Sequence, residues 1–217
     1  PAQDAEGNDV EKFTFADFSR EFAWSKINPV GPIFDLKKLE WLNGVYIRDL
    51  ELNDFTSRLL PYLEREGVLS GAPSLGELGR LKDVAALIQT RIALLKEAVP
   101  LALPFFVADD QLLIEDDARA SLGEDAAQVL DAAIEALSDI DDHLASLVGG
   151  TDWNATRLEE TLRTTLVDGL GKKARFAFGP LRVAVSGARI SPPLFESMEI
   201  LGKTSTLARL HALRESL

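Results

Sequence analysis

Apolar residues in this chain recur almost everywhere at three- and four-residue spacing and almost nowhere in strict alternation. A helix gathers residues three and four apart on one face, whereas a strand gathers every second one, so the period dictates an all-α fold. From Ser74 to Val99 the pattern runs through Leu78, Leu81, Val84, Ala85, Ile88, Ile92 and Leu95 and predicts one long helix containing Arg91. Shorter stripes follow the same rule: Phe15, Phe18 and Phe22; Leu36, Leu39, Leu42 and Tyr46 with Trp41 beside them; Phe55, Leu59, Tyr62 and Leu63. Further on, Val129 to Leu147 forms one helix face within 125–148. Leu158, Leu162, Leu166 and Leu170 form another, and Leu207, Leu210 and Leu213 form a last one, with Arg209 and Arg214 facing outward.

Punctuation residues divide these stripes. Thr14, Asp35 and either Thr151 or Asp152 are placed as N-caps, because a short polar side chain satisfies the first unpaired amides of a helix. Asn43-Gly44 predicts a break or bend, with a backbone open to close approach, and Pro61 a kink or break. Residues 1–12 read as a polar tail, Asn28 to Pro32 as a loop, and Gly67 to Ser74 as a turn. Pro100 and Pro104 end the long helix, and Gly149-Gly150 closes the later one. The resulting division is a 1–50 N-terminal part, a first helical subdomain over 51–104 and a second over 105–217.

The stretch 179–203 contains one helix ending at Gly187, a Pro-stiffened turn, and a second helix from Pro193 to Gly202. Two helix ends thus flank a turn that carries Arg182, Arg189 and Ser191, a geometry suited to a phosphate or a base edge. The net charge of −12 opposes that reading until its distribution is considered. From Lys172 to Leu217 eight basic residues face three acidic ones, while the rest of the chain holds fifteen against thirty-two. A positive end on a negative body steers a polyanion to one place and repels it elsewhere. Lys172, Lys173 and Arg175 with Phe176 and Phe178 add a basic run with interleaved aromatics.

The same stretch, Pro180-Leu181-Arg182-Val183-Ala184-Val185-Ser186-Gly187 followed by Ser191-Pro192-Pro193-Leu194-Phe195-Glu196 and Leu201-Gly202-Lys203, resembles the C-terminal anticodon-binding region of bacterial glutamyl-tRNA synthetases. A second block, Phe34-Asp35-Leu36-Lys37-Lys38-Leu39-Glu40-Trp41-Leu42-Asn43-Gly44-Val45-Tyr46-Ile47-Arg48, resembles that family in the right order, and Gln89-Thr90-Arg91 with Leu94 to Glu97 agrees more weakly. The resemblance implies two helical-bundle subdomains preceded by a remnant of the connecting, stem-contacting domain. It implies that Arg182, Ser191 and Leu194 lie around the second and third anticodon bases, with Arg91 near the first. It further implies tRNA contacts at Lys38, Trp41, Asn43, Tyr46, Arg48, Arg189 and Lys203. The partner implied is the anticodon stem-loop of tRNA(Glu), beside the enzyme's own catalytic domain, in a cytoplasmic monomer. The intact enzyme of this family ligates glutamate to tRNA using ATP and magnesium.

Neither adenylating motif of that family, the H-I-G-H type or the later K-L/M-S-K-S/R type, occurs in the chain, so no catalytic residue and no cofactor is expected in it. Without cysteine, disulfides, thiolate catalysis and Cys-ligated metals are excluded. Asp139 and His143 at i and i+4 offer only two ligands, and no Gly-x-Ser-x-Gly or Gly-rich phosphate loop is present. No apolar run reaches the ~18 residues of a spanning helix, and no basic-then-apolar leader opens the chain. Pro1 in place of Met reads as a fragment or processed product. The alternative class is a helical protein-interaction module, for which apolar stripes and an acidic body suffice.

Overall fold

The computed structural model describes residues 12–27, 31, 34–140 and 152–217. The helices are α1 (Phe15–Glu21), α2 (Leu36–Asp49), α3 (Leu52–Arg65), α4 (Leu75–Ile88), α5 (Ala98–Ala102), α6 (Asp116–Ala120), α7 (Ala126–Ser138), α8 (Ala155–Leu162), α9 (Ala174–Ser186) and α10 (Leu194–Glu215). No strand occurs among the described residues, and the all-α expectation is borne out. Two hydrophobic clusters form. One joins Phe55, Leu59, Leu63, Leu81, Val84, Ile88 and Phe105; the other joins Leu130, Leu137, Leu158, Leu162, Leu166, Leu181, Met198 and Leu210. The first arm of α10 connects them, because Leu201 packs against both.

Local chemistry sets most helix starts. Thr14 with Asp17, and Ser74 with Glu77, form reciprocal capping boxes, and Asp35 accepts from the Lys38 amide at 3.1 Å. Asn154, rather than Thr151 or Asp152, caps α8, accepting from the Arg157 amide at 3.0 Å. Past Leu162 that helix widens into π-helical turns over Arg163–Gly169, and the leucines at strict four-residue spacing stay buried through Leu166. The expected helix beyond Ile140, its Gly149-Gly150 end, the Asp139–His143 pair, the tail to residue 11 and most of the Asn28 to Pro32 loop lie outside the described residues.

Several expectations are corrected by tertiary contacts. The long helix stops at Ile88. A 3-10 turn follows at Gln89–Arg91, and Ile92 and Leu94 are extended. The cause is α2: the Gln89 side-chain amide donates to the Ile47 and Leu50 carbonyls at 2.9 and 2.8 Å, and the Asn43 amide donates to the Ala93 carbonyl. Gly44 does not break α2. It lies buried where the backbone of Ala93 crosses, and a β-carbon there would stand 3.3 Å from the Ala93 Cα. α3 runs through Pro61 unbroken. The stripes of α1 and α2 bury little: Phe15 is 83% exposed, and Phe18, Phe22, Leu36, Leu39, Trp41 and Tyr46 are exposed as well, as is Trp24 beyond α1. Arg209, expected outward, is buried.

Candidate nucleic-acid interface

The turn after α9 is built by one glycine. Gly187 takes the left-handed conformation (φ 72°) that closes a helix, its amide bonding the Val183 carbonyl at 2.8 Å. Its carbonyl accepts from the Glu115 amide at 2.8 Å, so the segment before α6 lies against the turn. Ser186 Oγ donates to the Arg182 carbonyl at 2.8 Å and reinforces the same helix end. Beyond the turn, Ser197 Oγ turns back onto the Pro193 carbonyl at 2.5 Å and fixes the first turn of α10.

Arg182 points from α9 into this turn. Its Nη1 donates to Ser191 Oγ at 2.7 Å and to the Pro192 carbonyl at 3.0 Å. A guanidinium has five N–H donors, so Nε and Nη2 keep three without a protein partner among the described residues. Burial, and secondarily the charge of Arg91, push the Arg182 guanidinium below its ordinary value, although an arginine stays charged at any physiological pH. Arg91 therefore lies within electrostatic reach of Arg182 across 91 positions of sequence. Among the described residues no carboxylate is within ion-pair distance of either. Glu97, the next acidic residue along the chain from Arg91, accepts from the Ala93 and Leu94 amides, at 2.8 and 3.0 Å.

The other basic residues of the C-terminal region are mostly engaged inside the protein. Lys172 pairs with Asp125, Arg209 with Asp109, and Arg214 with Asp131; Arg189 lies 3.9 Å from Asp117. Lys203 donates to the Ser138 and Ile140 carbonyls at 2.8 and 2.7 Å, closing the end of α7. Lys173, Arg175 and Arg182 lack a carboxylate partner among the described residues, and Arg175 lies over the Phe176 ring at 5.7 Å. The net positive charge read from sequence thus overstates the cation available to a ligand, which is left at Lys173, Arg175 and Arg182.

Ser191 and Leu194 are brought to the turn but buried, Ser191 to hold Arg182 and Leu194 within the second cluster. Arg189 is exposed at its edge. On α2, Trp41 and Arg48 are exposed, the Tyr46 ring carries the Lys12 ammonium 5.3 Å from its centre, Asn43 is bound to Ala93, and the Lys38 amide is held by Asp35. Those five lie on the helix that docks against the Arg91 segment, and the turn of Arg182 belongs to the other cluster. Sequence reasoning missed Gln89, Asn154 and the burial of Arg209; only Asn154, a capping residue before a helical stripe, carried a local signal. Among the described residues no group of three or more His, Cys, Asp or Glu side chains is placed to hold a metal, and no helix is long and apolar enough to cross a membrane.

A helical scaffold that leaves the Arg182 guanidinium with three N–H donors free of protein partners at a turn, on an otherwise acidic body, offers a site for an anionic or electron-rich ligand. Its family follows from comparison: the family model described as "Anticodon binding domain" matches residues 54–214, and the chain belongs to that family. The glutamate–tRNA ligase of Acidothermus cellulolyticus is 45% identical over 201 residues, covering 92% of this chain and 38% of the relative. That of Kineococcus radiotolerans is 44% identical over 209 residues, covering 96% and 40%. The chain therefore spans about two fifths of the length of these curated relatives. A crystal structure of a glutamate tRNA ligase from Elizabethkingia meningosepticum, in complex with its amino acid, shares the fold with a TM-score of 0.75 at 19% identity, covering 98% of this chain and 38% of that one. The resemblance read from the two sequence blocks is borne out.

Proposed function

We propose that this chain recognises the anticodon of tRNA(Glu) on behalf of a glutamate–tRNA ligase whose remaining length carries the adenylate chemistry with ATP and magnesium. The observation that carries this reading is Arg182 at the turn after α9, bound through Nη1 to Ser191 and Pro192 with its remaining three N–H donors free of protein partners among the described residues and within electrostatic reach of Arg91, in a chain whose other C-terminal cations are largely engaged. Like charges within electrostatic reach repel one another, and an anionic or electron-rich ligand relieves that repulsion. An anticodon loop supplies phosphates and unstacked base edges together. Arg182 offers three donors at a rigid angle beside the Ser191 hydroxyl, which suits the second and third bases; Arg91 takes the first. Arg189 is available at the rim for a phosphate. Lys38, Trp41, Asn43, Tyr46 and Arg48 serve as secondary contacts toward the stem, and Leu194 supports the turn from beneath.

Residues before 54 fall outside the family-model match, and they hold most of the exposed large apolar side chains, including a string of ring contacts from Phe13 through Phe18 and Phe22 to Trp24. In this reading that face seats the remainder of the longer enzyme, which works as a cytoplasmic monomer. A titration of tRNA binding against salt tests the proposal. Phosphate contact requires log affinity to fall linearly with log salt; Arg189→Ala should reduce the slope by about one, whereas Arg182→Ala should relax selectivity at the bases it reads. Binding that is absent or insensitive to salt favours the helical interaction module instead.

A further inference from the structure

Arg209 is the one charged side chain among the buried described residues, 3% exposed on the second arm of α10. Its Nε donates to the Asp109 carboxylate at 2.6 Å, its Nη1 to the Val185 carbonyl at 2.8 Å, and its Nη2 to the Val107 carbonyl at 3.4 Å. Buried ion pairs are expensive to desolvate, and well-packed apolar residues of similar volume stabilise as well or better. What a planar guanidinium supplies instead is direction: three acceptors are held at fixed angles by one rigid group.

Those acceptors come from two parts of the molecule that matter to the interface. Val107 and Asp109 belong to the connector leaving the first cluster, whose Phe105 carbonyl is itself held by Arg80 Nη1 at 3.0 Å from α4, the helix that ends in the Arg91 turn. Val185 lies in the last turn of α9, one turn beyond Arg182. A continuous set of bonds therefore runs from α4 through Phe105, the connector and Arg209 to the helix end that bears Arg182. Gly187 strengthens the junction, since the same connector continues to Leu113 and Glu115 against it.

We infer that Arg209 is a positioning residue: it clamps the connector to the end of α9 and so sets the separation of Arg91 and Arg182 on which anticodon selectivity depends. The inference rests on the anticodon-reading proposal for its functional half and on geometry alone for its structural half. Arg209→Met keeps the stem and removes the fork. The chain contains no cysteine, so nitroxide labels on Lys82→Cys and Asp168→Cys, exposed sites on opposite sides of the junction, report the spacing without RNA. The narrow distance distribution of the parent should broaden or shift in the Met variant. The ratio of affinities for tRNA(Glu) with intact and altered anticodons should fall about tenfold, the order of discrimination that one well-placed bidentate base contact supplies. The salt slope should not change, because no phosphate contact is lost.

Lysine is expected not to restore selectivity, because it brings charge without the fork. If the Met variant loses its helical signal, Asp109→Ala, which removes the acceptor on the connector, decides by the same two readouts. A folded variant with an unaltered distance distribution and unaltered selectivity overturns the inference. A parent chain indifferent to the anticodon overturns anticodon reading and the role in selectivity with it, and the label distances still decide the clamp.

Discussion

Replacing Gly187 with alanine should destabilise the fold by about 2.5 to 6.5 kcal/mol, and the contributions can be separated. The left-handed backbone at φ 72° costs a residue with a β-carbon about 1–2 kcal/mol. The added Cβ would stand 2.2 Å from the Leu113 carbonyl oxygen, a backbone atom that cannot rotate away. The connector must then move by more than an ångström, which disturbs the 2.8 Å bond from the Glu115 amide to the Gly187 carbonyl, worth about 0.5–1.5 kcal/mol, and adds overpacking strain of about 1–3 kcal/mol. Gly67→Ala is the matched control. It has φ 71° but no atom within 4 Å of the new carbon, so it carries only the backbone cost of about 1–2 kcal/mol. Urea unfolding followed by helical circular dichroism should give the Gly187 variant a markedly lower midpoint at unchanged slope, and the Gly67 variant a small loss. Equal losses in the two variants would refute the close approach of the connector at Gly187.

Lys203→Ala should lower stability by about 1–2 kcal/mol, because two carbonyls at the end of α7 lose a charged donor, and should leave the salt dependence of tRNA binding unchanged; a reduced slope would return Lys203 to the interface. Trp153 is buried with its indole N–H on the Met198 carbonyl at 2.8 Å, while Trp24 and Trp41 are exposed. Acrylamide should therefore quench two tryptophans readily and leave one protected, and Trp153→Phe should abolish the protected, blue-shifted component. Glu77 is held below the usual carboxylate range by the Ser74 amide and hydroxyl, so its contribution is fully present above the ordinary glutamate value and lost as pH falls through the lowered one. Acid titrations of Glu77→Gln should consequently lack that part of the destabilisation and otherwise parallel the parent.

What could be read from sequence was what local chemistry determines. Ser74 with Glu77, Asp35 and Gly187 each carry their own reason for ending or starting a helix, and the structure places a boundary at every one, while Gly202 (φ 81°) interrupts α10 between its two arms. Arg182 and Ser191 meet because nine residues spanning a helix end and a short turn leave few other arrangements. The errors arose where a distant segment intervenes. Nothing near Ile92 reveals that Asn43 and Gln89 bind α2 to that stretch and make it extended. Arg209 follows the polar period of its helix, and only the approach of Asp109, a hundred positions earlier, makes its burial tolerable. The stripes on α1 and α2 have the spacing of a core face, yet periodicity reports that a helix has an apolar side and not what covers it.

The central claim, anticodon reading at the Arg91 and Arg182 pair, is tested most directly by the affinity of the chain for tRNA(Glu) transcripts bearing single anticodon changes, compared between the parent, Arg91→Ala and Arg182→Ala. Selective weakening by anticodon changes in the parent, by about 1–3 kcal/mol per contacted base, with that selectivity lost at a different base in each variant, is the predicted result. Binding that is equally tight for every anticodon, or equal selectivity in all three proteins, would contradict it.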